Sequence, residues 1–109
     1  MIVSGSVRFP PMSEPLMVHG LRVSIRTIAP ADAPDTELAA AVVARDIVVP
    51  SAGTSVPFAV PVDLPPGRQV AVRAHADVAG TGRVQVGDLV STSRHVFPAP
   101  DLVVPLERI

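Results

Sequence analysis

The sequence predicts an all-β protein, an antiparallel β-sandwich of seven to eight strands of the immunoglobulin or transthyretin type with Greek-key connections. Three observations predict it. Apolar residues alternate with polar ones in several short stretches, the period of a half-buried strand. Thirteen prolines and seven glycines punctuate the 109 residues, with turn signals every ~8–15 residues, the spacing of a sandwich. No stretch sustains a 3.6-residue period, so helices are not expected.

The first strand is Val3 to Phe9, where Val3, Gly5, Val7 and Phe9 alternate with Ser4, Ser6 and Arg8. Pro10-Pro11 ends it, and Met12 to Leu16 has no period and reads as a loop. Val18 to Ile28 is the clearest alternation. Leu21, Val23 and Ile25 point one way; Arg22, Ser24 and Arg26 point the other. Ala29 to Pro34 then breaks the pattern with two prolines and an aspartate, a turn or short crossover. The segment Thr36 to Val49 carries two signals. Ala39-Ala40-Ala41 favours helix, whereas Val42, Val43, Ile47, Val48 and Val49 are β-branched. The β-branched residues decide it as a strand over Ala39–Val49, and Ser51 to Thr54 turns around Gly53.

Ser55 to Val62 puts Val56, Phe58, Val60 and Val62 on one face, with Pro57 and Pro61 on the other. Proline donates nothing to a ladder, so this is an edge strand. Asp63 to Gly67 is a tight loop. Arg68 to Val78 turns Val70, Val72, Ala74 and Ala76 inward and Arg73, His75 and Asp77 outward. A glycine-bearing loop, Ala79 to Gly87, leads to a returning strand, Asp88 to Phe97; Leu102, Val104 and Leu106 mark a last short one. Nothing divides residues 1–109 into more than one domain.

Net charge is −1, from nine basic and ten acidic groups. That is no footprint for nucleic acid or an anionic membrane. Every basic residue is arginine, the bias of a GC-rich coding sequence. Without cysteine, disulfides, thiol catalysis and cysteine–zinc sites are excluded. No apolar run is long enough to span a bilayer, so membrane insertion is not expected. The opening residues MIVSGSVRFPP do not read as a signal peptide. As it stands the chain is expected in the cytoplasm, and in the envelope if a leader precedes it.

The most suggestive pattern runs from Asp77 to Asp88. On a twelve-residue calcium loop, Asp77 takes the first position, Gly82 the sixth, Val84 the apolar eighth and Asp88 the twelfth. The intervening ligands are wrong: Ala79 lacks a side-chain oxygen, Thr81 is a weak neutral ligand and Arg83 adds positive charge. Asp77, Thr81 and Asp88 are the residues a cation would use. The competing reading is a hairpin whose glycines supply positive φ. His19, His75 and His95 lack metal-motif spacing; the expected pairing sets His75 opposite residue 90 and His95 near residue 70, too far apart to share an ion. Ser91, Ser93, His95 and Asp88 are the only grouping resembling hydrolytic machinery, and no nucleophile elbow accompanies them. Arg22, Arg26, Arg73 and Arg94 are read as a solvated face shared with Asp46, Asp77 and Glu37.

Several stretches carry a family resemblance over nearly the whole chain: VSGSVRF, LRVSIRTIAPADAPDTELAA, VPFAVPVD, RQVAVRAHADV and DLVSTSRHVFPAP. Together they resemble the YbaY/YscW family, small β-sandwich proteins of the bacterial envelope that include pilotin-like lipoproteins of type III secretion. Val62 and Val70 stand where the family commonly has an aromatic residue, and Phe97-Pro98 matches its aromatic–proline ending. The resemblance implies a sandwich and a pilotin- or chaperone-like role, with no cofactor and no catalytic residue to carry over. Members are often anchored through an N-terminal cysteine, which this chain lacks.

The expectation is therefore a noncatalytic protein-interaction domain, not an enzyme. Its partner would be another protein, bound at an exposed sheet face or edge, with the Val3–Phe9 strand or the last strand as that edge, or a second copy in a homodimer. The alternative is a small-ligand- or calcium-binding sandwich using the 77–88 loop.

Overall fold

The computed structural model describes residues 1–28 and 35–109, and the turn expected over 29–34 lies outside them. The described residues form nine strands and no helix. They are β1 (Ile2–Phe9), β2 (Leu16–Arg26), β3 (Glu37–Val49), β4 (Thr54–Pro61) and β5 (Val70–Asp77), then the short β6 (Leu89–Val90), β7 (His95–Phe97), β8 (Val103–Pro105) and β9 (Glu107–Arg108). A three-stranded sheet has the order β4-β1-β8; a six-stranded sheet runs β3-β2-β5-β6-β9, with β7 also paired to β5. The all-β sandwich follows from how these sheets bury their inner rows. Val3, Val7 and Phe9 of β1, Phe58 and Val60 of β4, and Val104 of β8 belong to one buried cluster with Val18, Leu21, Val23 and Ile25 of β2 and Val70 and Val72 of β5. Every fully buried large side chain in it is aliphatic except Phe9.

Residues 37–49 are strand throughout. The alanines that favour helix are outweighed by pairing with β2, which turns Ala39, Ala41 and Ala44 toward Ile25, Val23 and Leu21. The strand is irregular: its register against β2 shifts twice, and Asp46 has φ 49°.

Two expectations about edges separate. β4 is an edge strand, as its prolines require. The Val62 amide donates to the Met1 carbonyl at 2.8 Å. Counting back by two along the β1–β4 register sets Pro57 and Pro61 at the positions whose nitrogens point away from β1. The strand Val3–Phe9, expected as a free edge, is instead the centre of its sheet, because β8 pairs with it in parallel on the other side. Gly5 allows that approach: a Cβ there would stand 2.6 Å from the Leu102 carbonyl oxygen. The last strand does lie at an edge, and it divides into β8 and β9, one in each sheet.

The returning strand Asp88–Phe97 is also divided. Val90 pairs with His75, while His95 pairs with Val72. Between them Ser91 continues the ladder in altered form: its amide donates to the Ala74 carbonyl, and its Oγ accepts the Ala74 amide, each at 3.0 Å. A side-chain oxygen thus replaces a backbone carbonyl, and the chain bulges out before rejoining β5.

Candidate functional site

The loop between β5 and β6 is built on two carboxylates. The antiparallel register that pairs Ala76 with Leu89 brings Asp77, the last residue of β5, across from Asp88. Asp77 turns inward on its own loop. Its Oδ1 accepts the amides of Gly80 (3.0 Å) and Thr81 (3.3 Å), and its Oδ2 accepts that of Gly82 (2.9 Å). Gly80 and Gly82 have φ of 77° and 76°, the conformation glycine adopts at no steric cost. Gly80 is constrained twice, because a Cβ there would come within 3.0 Å of the His19 ring.

Asp88 holds the other half of the loop. Its Oδ1 accepts the Val78 amide at 3.0 Å; its Oδ2 accepts the Gln85 amide at 3.2 Å and lies 2.7 Å from His75 Nε2. The side chain is 1 % exposed. Burial pushes the Asp88 pKa up, but hydrogen bonds from His75, Val78 and Gln85 and the charge of His75 outweigh it, leaving the carboxyl more acidic than an ordinary aspartate. An ionised carboxylate only accepts, so His75 Nε2 carries the shared proton.

One ligand atom each from His75, Asp77 and Asp88 lie within 4.8 Å of one another, so the two aspartates singled out in the sequence do converge. Their chemistry is that of acceptors already in use. Each of the four carboxylate oxygens takes at least one hydrogen bond from the loop amides or His75. A cation would have to displace those donors. Thr81 does not join the aspartates as a side chain; its Oγ1 donates to the Arg83 carbonyl and accepts the Arg83 amide. The calcium-like spacing is met by a loop whose own amides occupy the acceptors.

Sequence reasoning missed His75 as the partner of Asp88. The signal was available: with His75 opposite residue 90, Asp88 falls on the diagonal of the same face, within reach of a long side chain. The hydrolytic grouping is not assembled. Ser91 Oγ is occupied by the Ala74 amide and Asp88 by His75. His95 pairs with the core residue Val72, which places it on the inner face, opposite from Asp88. Its Nε2 is buried with no partner among the described residues.

The loop so fastened shows apolar residues to solvent. Val84 is 58 % exposed and Val86 90 %. Further bonds brace its far end: the Gly87 amide donates to the Ile109 carbonyl (2.6 Å), the Ile109 amide to the Asp88 carbonyl (2.9 Å), and Arg108 Nε to the Gly87 carbonyl (3.1 Å). Beside the loop, the outer face of the large sheet carries Arg22, Arg26 and Arg73. Arg22 is bonded to Glu37 at 2.9 Å and Arg73 to Asp35 at 3.2 Å, while Arg26 lies 3.8 Å from Glu37. His19 Nδ1 is 3.6 Å from Asp46.

No family model, no curated protein and no solved structure matches this chain.

Proposed function

We propose that this chain is a noncatalytic protein-binding module whose contact surface centres on the 77–88 loop. The observation that carries the reading is the combination of rigidity and exposure. Five backbone amides, of Val78, Gly80, Thr81, Gly82 and Gln85, are tied to two buried carboxylates, and the loop so held presents Val84 and Val86 to water. Ordering a loop costs about 1–2 kcal/mol per residue in backbone entropy. A loop ordered in advance binds without that cost. Binding residues are disproportionately carried on loops positioned by a rigid scaffold.

The resemblance to the YbaY/YscW proteins leads the same way, toward a pilotin- or chaperone-like partner-binding role without chemistry. The test is co-purification from the native host with wild type and with Val84→Ser/Val86→Ser, followed by reconstitution with the purified partner. The expected result is a partner retained by wild type and released by the variant, with unchanged melting temperature. Equal retention by both proteins overturns the role assigned to the loop.

A further inference from the structure

We infer that the outer face of the six-stranded sheet holds a binding site for a small oxyanion, a phosphate or carboxylate group, between Arg22, Arg26 and Arg73. The site borders the valine contact surface, because Gly82 and Val84 also line its groove. β2 and β5 pair with Arg22 opposite His75, Ser24 opposite Arg73 and Arg26 opposite Ala71. The three arginines therefore stand around Ser24 on two adjacent strands. They line a groove of about 320 Å³, with Ser24, His75 and Ser91 also in its wall.

The charge is concentrated there. Smaller depressions adjoin the groove at both ends, sharing Arg22 and His75 on one side and Arg73 and Ser91 on the other. Counting all three, Arg22, Arg26, Arg45, Arg73 and Arg94 line the surface against Asp35 and Asp77, with Glu37 paired to Arg22 and Arg26 beside it. The whole protein has nine arginines and a net charge of −1, so this face departs from the balance of the rest. Low-dielectric walls strengthen such a field.

The donors are also in excess. A guanidinium carries five N–H groups in a planar fork that matches carboxylate and phosphate. Arg22 uses one terminal nitrogen on Glu37, and Arg73 one on Asp35. Arg26 makes only the 3.8 Å contact to Glu37. Its Nε is closed off from solvent and has no acceptor among the described residues. A buried donor without an acceptor costs roughly 1–3 kcal/mol, so the Arg26 guanidinium is left short of acceptors on the protein side.

The experiment titrates the full chain with inorganic phosphate and, separately, with citrate, at ionic strength held constant with NaCl, by calorimetry and thermal melting. Saturable binding and a raised melting temperature are expected for one or both anions; a phosphate response assigns the tetrahedral anion and a citrate response the carboxylate. Arg73→Gln and Arg26→Gln should each weaken binding about tenfold or more, as loss of a charge-assisted hydrogen bond does. Arg73 is 57 % exposed, so its replacement keeps the fold even if that of Arg26 does not. No response to either anion beyond matched NaCl, or an unchanged affinity in Arg73→Gln, overturns the site. Val86→Ser, whose side chain lies outside the groove lining, should bind the anions as wild type does, which separates this site from the protein-binding surface.

Discussion

A carboxylate at 1 % exposure is costly unless donors surround it, and at Asp88 they do. Two amides and His75 converge on it, and their combined pull leaves its pKa below the ordinary aspartate value despite burial. The sign of the linkage follows. A folded pKa below the unfolded one stabilises the protein fully above the unfolded value, near ~4, and the contribution disappears as pH falls through the lower folded value. Asp88→Asn should therefore cost about 2–3 kcal/mol at neutral pH, because an amide nitrogen would face donors. The difference between wild type and variant should shrink below pH ~4, where the carboxyl is protonated first in the unfolded chain and then, at lower pH, in the folded protein. Urea melts at pH 7 and pH 3 check both statements; an equal difference at the two pH values would contradict the linkage.

The two long edge strands, β4 and β3, illustrate how an element guards its edge. β4 does so with Pro57 and Pro61, which have no N–H to offer an incoming strand. β3 carries no proline within its bounds; it has two register shifts and the left-handed Asp46, and bulges of this kind twist an edge away from pairing. The proposal that β4's prolines serve solubility predicts that Pro57→Val/Pro61→Val leaves the unfolding free energy within about 1 kcal/mol of wild type. It should promote association at high concentration. Light scattering reads this, and a variant that stays monomeric would remove that role. The prolines were legible because their chemistry is local. The break between β6 and β7 was not, because it depends on Ser91 reaching the Ala74 amide, a contact between residues 17 apart.

Across the whole molecule, the first and one of the last strands close the small sheet. β1 pairs with β8 in parallel, Val7 beside Val104. Closing that contact early costs loop entropy that local contacts do not repay, so folding in milliseconds to seconds is expected, as for other sandwiches. The same closure makes the core a single unit. Val104→Ala removes a fully buried side chain from the seam between β8 and the core, and should destabilise by roughly 2–3 kcal/mol. Stopped-flow refolding and equilibrium melts of wild type and Val104→Ala test both expectations. A microsecond refolding phase would contradict the non-local closure.

Residue order by itself determined the class of the fold. Period-two alternation, β-branched residues and proline punctuation are local properties, and they marked β1 to β5 within a few residues. It also determined that β4 is an edge, and it left the Asp77–Asp88 stretch as either a calcium-like loop or a glycine-bearing hairpin. Only the tertiary structure decided that Val3–Phe9 is central, because its second neighbour comes from the far end of the chain. Only the tertiary structure showed that the aspartates' acceptors are taken by the loop's amides and by His75, and that Arg22, Arg26 and Arg73 share one groove. Spacing along a chain records which residues face the same way; which donors and acceptors meet depends on strands brought together across the sheet.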